Sequence, residues 1–194
     1  MSAKNVPVQR LMEGSRPELS RHFLSLDRED VRLRFGHVIP AAAIAEYVER
    51  IDFDTDAVFG VYDEELVLAA VAHVAFNADM AELGVSVLPA HRGRGLGSAL
   101  LARAAEHVRN RFVTRLFMYC LAENAAMMHI ARKLGMKICI DTGEADAFLK
   151  LAPANPASVT GEFVDQRLAL FDYALKSQAM RIRELNAPAH PPED

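Results

Sequence analysis

A glycine-rich turn between two apolar segments is the part of this sequence best suited to chemistry. Residues 83–101 read LGVSVLPAHRGRGLGSALL, and their last part has the pattern of an amphipathic helix. The N-terminus of a helix carries unpaired N–H groups and a partial positive charge, so it favours anionic phosphates. Glycines let the backbone approach a ligand closely, and arginines add cationic donors. We therefore predict a pyrophosphate-binding turn made of Arg92, Gly93, Arg94, Gly95, Leu96, Gly97 and Ser98.

Two other phosphate-binding motifs fit this turn less well. A kinase-type P-loop requires Gly-Lys-Ser/Thr, and no lysine follows Gly97. A dinucleotide fingerprint requires Gly-x-Gly-x-x-Gly, but counting from Gly93 its last position is Ser98. The acidic residue expected about 20 positions further on is also missing, because residues 113–115 read VTR. A dinucleotide-dependent oxidoreductase remains a weak alternative.

The elements around the turn predict a single mixed α/β (α+β) domain. Apolar periodicity indicates helices at 16–26, 41–51, 95–109 and 124–134. Strand patterns cover 7–12, 57–62, 66–76, 81–88, 113–121, 137–140 and 145–151. Gly135 follows the helix at 124–134, where a left-handed C-terminal cap is expected. We therefore take residues 1–151 as one catalytic or binding domain.

A separate helix is predicted at the C-terminal end of the chain. Residues 152–159 resemble a linker, residues 160–186 a long helix, and residues 187–194 a disordered tail. Apolar positions spaced 4-3-4-3-4-3 form a heptad seam in this helix, with one polar member. Such a stripe has to be covered, either by its own domain or by a partner, and we favour a homodimer. The seam consists of Val164, Leu168, Phe171, Leu175, Gln178, Ile182 and Leu185.

Composition narrows the class of protein. The chain has 194 residues, 51% of them apolar and 25% charged, and its formal net charge of -4 argues against nucleic-acid binding. No apolar run approaches the roughly 20 residues of a membrane-spanning helix, and residues 1–14 lack a secretory apolar core. The two cysteines have no metal-binding or disulfide spacing. We expect a cytoplasmic protein without a membrane segment or metal site.

Two motifs in this sequence together resemble those of the GNAT superfamily of N-acyltransferases. The first is Arg92-x-x-Gly95-x-Gly97, preceded by Val85-Ser86-Val87-x-Pro89. The second is Asn124-x-x-Met127-x-x-Ile130-Ala131-x-Lys133-Leu134-Gly135-Met136. The resemblance covers about residues 8–151. A narrower resemblance, to bacterial protein lysine acetyltransferases, rests on Arg32-x-Arg34-Phe35, Ala81-Glu82-Leu83 and Glu123-Asn124-x-x-Met127.

The resemblance implies a splayed mixed sheet, acetyl-CoA as cosubstrate and an amine acceptor that attacks the thioester directly. The acceptor would be a protein lysine or a small-molecule amine, and no metal would be needed. Glu82 lies where the resembling enzymes carry a general base, which removes a proton from the attacking ammonium group. The strand backbone at Val85, Ser86 and Val87 would pair with the pantetheine arm, and N–H groups near Val87 would polarise the carbonyl. Asn124 is expected to cap a helix, and a contact with the cosubstrate is compatible with that role.

One position departs from the family pattern. Many members carry a tyrosine, which protonates the leaving thiolate, where this chain has Ala131. Tyr119 and Ser86 are the nearest replacements. The same departure leaves a second hypothesis open, in which the protein is a non-catalytic acyl-CoA sensor that signals through the C-terminal helix.

Overall fold

A single seven-stranded mixed sheet organises residues 6–186, the part of the chain that the computed structural model describes. The predicted tail at 187–194 lies outside the described residues. The strands are β1 Gln9–Leu11, β2 Ala57–Tyr62, β3 Leu68–Asn77, β4 Met80–Val87, β5 Arg115–Leu121, β6 Lys137–Asp141 and β7 Glu144–Lys150. Their order across the sheet is β1-β2-β3-β4-β5-β7-β6. Only the β4–β5 pair is parallel; the other neighbours are antiparallel.

Helices cover both faces of the sheet. They are α1 Arg16–Leu24, α2 Arg28–Phe35, α3 Ala41–Glu49, α4 Leu96–Asn110, α5 Ala125–Lys133 and α6 Pro156–Leu185. One apolar cluster packs α4 and α5 against residues such as Leu83 and Val85 of β4. A second packs α1, α2 and α3 against the opposite face, which includes Val71 of β3. Because side chains alternate along a strand, Glu82, Gly84 and Ser86 share the face toward α1–α3.

The predicted mixed fold is confirmed, and most element boundaries shift by only one to three residues. Helix α2 was not predicted, because Arg28–Phe35 is mostly charged and contributes only Val31 to the fully buried apolar residues. Local signals nevertheless define both of its ends. Asp27 accepts a hydrogen bond from the Asp30 N–H at 2.8 Å, and Gly36 ends the helix in the left-handed conformation with φ +80°.

Helix α6 begins at Pro156, four residues before the predicted start at residue 160, so the predicted linker at 152–159 is shorter than expected. A capping box at Asn155 explains the difference. Its side chain accepts from the Ser158 N–H at 2.8 Å, and the Ser158 hydroxyl accepts from the Asn155 N–H at 3.1 Å. Proline at the first helical position suits a helix start, because its missing N–H would have been unpaired there.

Candidate active site

The sheet is forked between β4 and β5, and the candidate site lies at this fork. The two strands pair at Met80↔Arg115, Ala81↔Leu116 and Glu82↔Phe117, and no further. Strand β4 nevertheless continues to Val87 and β5 to Leu121. From Leu83 to Val87 the edge of β4 that faces β5 therefore has no strand partner. An extended chain with amide groups could hydrogen-bond to this free edge as an added strand does.

The turn after β4 carries a row of unpaired backbone donors. Within the described chain, the N–H groups of residues 93–98 make no hydrogen bond, and the first bond of α4 is from Ala99 N–H to Gly95 C=O at 3.0 Å. No side chain caps α4, and its first turn has no acidic residue. Gly93 and Gly95 have φ values of +73° and +80°, a region that costs other residues strain. The geometry is that of an anion-binding helix N-terminus.

Gly97 has a packing role in addition to the phosphate contact predicted for it. A Cβ at this position would lie 2.8 Å from Ile130 Cδ1 of α5 and 3.8 Å from Val87 Cγ2. The absence of a side chain therefore lets α4 pack closely against α5, so that the two signature motifs meet. Gly97 thus clears space for Ile130, and its predicted backbone contact with a phosphate stays a prediction.

Arg92, one of the predicted phosphate ligands, is held by an acidic partner from α2. Its Nη2 donates to the carboxylate of Asp30, and its Nε donates to the Val87 carbonyl at 3.4 Å. Asp30 is buried, with 7% of its surface exposed, so it requires a counter-ion. Removing Arg92 would leave that carboxylate buried and unpaired. Arg94, in contrast, is exposed and makes no ion pair among the described residues.

Glu82 is the last β4 residue paired with β5, at the apex of the fork. Its side chain is exposed, and it makes no hydrogen bond or ion pair within residues 6–186. The predicted base is therefore not neutralised by a neighbouring cation in a salt bridge. A carboxylate in this state is able to accept a proton from an incoming ammonium group.

Tyr119 and Ser86, the two predicted substitutes for the missing tyrosine, differ in availability. Tyr119 lies on β5 two residues beyond Phe117, and the Glu144 carboxylate raises its pKa to about 12. It stays protonated at neutral pH and is 37% exposed. The Ser86 hydroxyl is instead buried and lies 2.7 Å from Nε2 of His22. Ser86 is therefore already committed to a buried hydrogen bond.

Two other predicted site positions have defined places. Ala131 of α5, where the family pattern has tyrosine, is fully buried and is part of the core that packs α4 and α5 against the sheet. Asn124 caps α5, since its side chain accepts from the Met127 N–H at 3.1 Å. Of the two outcomes expected for Asn124, the helix cap is present. A contact with the cosubstrate remains a prediction.

The fork and the anion-binding turn together fit a ligand with an extended amide-containing arm and a phosphate group, as in an acyl-CoA. Acyl-CoA is the cosubstrate of acyltransferases, and this is the class of protein to which the site points. Residues 26–136 match the model of the acetyltransferase (GNAT) family. The match covers more than half of the chain, and the chain therefore belongs to the acetyltransferase (GNAT) family. The predicted family is confirmed.

Individual relatives agree with this class. The chain is 34% identical over 71 residues to streptothricin acetyltransferase from Streptomyces lavendulae, a match that spans 37% of this chain and 38% of that enzyme. The solved GNAT domain of S. lividans PAT aligns with a TM-score of 0.64 at 21% identity, over 74% of this chain and 89% of that domain. A phosphinothricin acetyltransferase from Sinorhizobium meliloti, solved with acetyl-CoA, aligns with a TM-score of 0.61 at 15% identity, over 78% and 94%. The two structural likenesses show the fold.

Two further findings concern membrane and metal. Among the described residues, no helix combines the length and apolarity needed to cross a membrane. Within the same range, no three His, Cys, Asp or Glu side chains cluster as a candidate metal site.

Sequence reasoning missed the contribution of α2 to the site. This helix supplies Asp30, which forms an ion pair with Arg92, and Arg32, which forms an ion pair with Glu123. The Asp27 cap and Gly36 were the signals that could have revealed this helix.

Proposed function

We propose that this protein transfers the acetyl group of acetyl-CoA to a primary amine by direct attack in a ternary complex. One observation carries the proposal. A single segment of chain presents the exposed, unpaired carboxylate of Glu82, then the free edge of β4 at 83–87, then the unpaired N–H groups of 93–98. This order matches the order of groups in the proposed ternary complex. The acceptor amine lies at the acetyl end of acetyl-CoA, followed by the pantetheine arm and then the pyrophosphate.

The proposed reaction assigns one role to each group. Glu82 accepts the proton that the acceptor ammonium must lose before its nitrogen can attack the thioester carbonyl. The free β4 edge from Val85 to Val87 holds the pantetheine arm, and N–H groups near Val87 stabilise the negative charge on the carbonyl oxygen. The new C–N bond forms as the C–S bond breaks. Tyr119 donates a proton to the leaving thiolate and regains one from solvent.

We propose a protein lysine or a small-molecule amine as the acceptor. The name of one similar protein, a streptothricin acetyltransferase, supports a small-molecule acceptor, whereas the lysine acceptor is supported by the narrower motif resemblance through Arg32, Glu82 and Glu123. An acceptor screen therefore includes lysine peptides and small polyamines or amino acids. We further propose that the reaction needs no metal, and that the protein works in a reducing cytoplasm, where its free thiols Cys120 and Cys139 persist.

Calorimetric titration with acetyl-CoA tests the binding site. We expect Arg94→Ala to weaken binding about tenfold, because it removes an exposed cation beside the anion-binding turn without disturbing a buried partner. Arg183→Ala, which removes an exposed arginine from the far end of α6, is the matched control and should bind as the wild type does. Equal affinities in all three proteins would contradict the placement of the pyrophosphate.

Release of free CoA thiol in the presence of amines tests the reaction. Glu82→Gln is expected to lower kcat by roughly a hundredfold or more, which is the usual range for loss of a general base, with acetyl-CoA affinity unchanged. Tyr119→Phe tests the proposed acid in the same assay. A wild-type protein that binds acetyl-CoA yet turns over none of the amines would instead be a sensor, the alternative that family membership disfavours.

We also propose a homodimer formed by the heptad seam of α6. The helix contacts its own domain through another face: Glu162 bonds to His107 and Asn110 of α4, and the Gln166 side chain accepts from the Arg10 N–H at 3.0 Å. On the same face Tyr173 packs against Tyr62, and Ala169 is buried. The seam itself points away from the domain. Most of its apolar side chains are exposed, including Leu168 at 60% and Phe171 at 63%.

The charges beside the seam favour a parallel pair of helices. In the heptad, Leu168 and Leu175 occupy a positions, which places Arg167 at g and Asp172 at e. In a parallel dimer the g residue of one helix meets the e residue five positions later in its partner, so Arg167 would meet Asp172. An antiparallel pair would bring like charges together.

Sedimentation velocity tests the dimer. Leu168→Glu should yield monomers, whereas Leu170→Glu, which places the same charge at an exposed c position away from the seam, should remain dimeric. Arg167→Asp should weaken the dimer, and the added Asp172→Arg should restore it in a parallel pair. A wild-type protein that sediments as a monomer at all concentrations refutes the proposal.

A further inference from the structure

An arginine lies against the motif strand on the acceptor face of the fork, and the reaction described above does not use it. Arg34 projects from α2 onto β4, and its guanidinium occupies the space that a side chain at Gly84 would need. Gly84 is two residues from Glu82 on the same face of the strand. The guanidinium is surrounded by aromatic rings, with Cζ 4.9 Å from the centroid of Phe35 and 5.5 Å from that of Tyr47. Within residues 6–186 it makes no ion pair with a carboxylate.

A chain of three side chains fixes this guanidinium in place. Arg34 Nη2 donates to the Tyr47 oxygen at 2.7 Å. Arginine can only donate, so the Tyr47 hydrogen goes to Nδ1 of His73, 2.8 Å away. His73 therefore carries its proton on Nε2 and donates it to Asp56 at 2.9 Å. Burial raises the pKa of Tyr47 and lowers the pKa of His73, so both stay neutral at neutral pH.

In this hydrogen-bonded series, two neutral side chains separate the negative charge of Asp56 from the positive charge of Arg34. Asp56 is separated from the guanidinium by Tyr47 and His73, so the positive charge beside the strand is not cancelled by direct contact. Nε of Arg34 is buried without a partner among the described residues, while the side chain as a whole is only partly buried. His73 also lies opposite Gly84 in the β3–β4 pairing, so the hydrogen-bonded side chains lie beside β4 at the level of Gly84.

We propose that Arg34 is a positioning residue that supplies a fixed positive charge to the reacting centre, held there by Tyr47, His73 and Asp56. The inference rests on the proposed acetyl transfer. Negative charge develops on the thioester oxygen when the amine attacks, and a guanidinium that is already oriented stabilises that charge without reorganisation. Such an effect acts on the transition state and therefore on kcat. It leaves the binding of acetyl-CoA and of the amine largely unchanged.

Steady-state kinetics on the full-length protein test this role. Arg34→Gln should lower kcat by roughly ten- to a hundredfold, with KM for the amine and the affinity for acetyl-CoA within about twofold of wild type. Arg34→Lys, which keeps the charge but not the planar fork, should recover part of the loss. Tyr47→Phe, which keeps the ring and removes the hydroxyl, should lower kcat severalfold. Arg28→Gln on the same helix is the matched control and should behave as wild type, because Arg28 is exposed and unpaired among the described residues.

Each other outcome would overturn the proposal. If Arg34→Gln raises KM for the amine and leaves kcat unchanged, Arg34 binds the acceptor instead. If kcat falls only in proportion to a lower melting temperature, and Arg34→Lys recovers nothing, the residue is structural. Nitrogen NMR of the free protein checks the chain without any activity: His73 protonated on Nδ1 at neutral pH refutes the inferred direction of the hydrogen bonds. A wild type that binds acetyl-CoA without turnover refutes the acetyl transfer first, and this inference falls with it.

Discussion

Protonation of a buried histidine is expected to destabilise this protein in mildly acidic solution. His22 of α1 is 2% exposed and lies 2.7 Å from both the Leu68 carbonyl and the Ser86 hydroxyl. A carbonyl only accepts, so Nδ1 carries the proton and Nε2 accepts from Ser86. Burial lowers the pKa of His22 to about 4, since the imidazolium form would lose its hydration.

The sign and size of the effect follow from proton linkage. A histidine has a pKa of about 6.5 in the unfolded chain, above the value of about 4 for folded His22. The unfolded state therefore binds more protons as pH falls, and stability is lost between these two values. From pH 7.5 to pH 5 the expected loss from this residue is about 2 kcal/mol of unfolding free energy.

Urea unfolding at pH 7.5, 6 and 5 measures this loss. The His22→Gln variant should be less stable at pH 7.5 but should show a pH dependence smaller than wild type by about 2 kcal/mol. His129→Gln removes an exposed histidine and is the control, with the wild-type dependence expected. Parallel pH dependence in wild type and His22→Gln would refute the reasoning. So would an NMR titration midpoint above pH 6 for the His22 ring, a measurement that needs no variant.

Three further predictions concern packing and stability. Glu162→Gln should cost about 2–4 kcal/mol at neutral pH, because the buried Arg103 loses its counter-ion, with a melting temperature lower by roughly 6–12 °C in thermal unfolding. The pKa of Glu162 is held well below its usual range by hydrogen bonds from His107, Asn110 and Arg103, which outweigh its burial, so its contribution should disappear only as pH falls below about 4.3. Gly97→Ala should cost about 1 kcal/mol in urea unfolding, and a second substitution, Ile130→Val, should recover part of it by clearing the contact at 2.8 Å. Asn155→Ala should cost about 1 kcal/mol, seen as faster hydrogen exchange confined to the first turn of α6.

The anion-binding turn was predictable from sequence because its signals are local. A glycine at the N-cap of α4 and an amphipathic stripe through Leu100 and Leu101 each depend on residues a few positions apart. The same holds for the cap at Asn124. The fold class followed from the order of such elements.

Contacts between residues far apart in sequence could not be predicted in the same way. Nothing near Arg92 indicates that Asp30, 62 positions earlier, would hold its guanidinium. Nothing near Arg34 indicates a link through Tyr47 to His73, since each residue alone fits a solvated or core position. The outward direction of the α6 seam was equally hidden, because it depends on the polar contacts of Glu162 with α4. Packing of the helices against the sheet and against one another, and not spacing along the chain, determines these contacts.

Helix α2 connects the two arms of the fork through charges. Asp30 joins Arg92 beyond the end of β4, while Arg32 joins Glu123 beyond the end of β5. Salt weakens the Arg32–Glu123 pair more, because Glu123 is exposed whereas Asp30 is buried. Rising ionic strength should therefore loosen the β5 arm from α2 before it loosens the β4 arm.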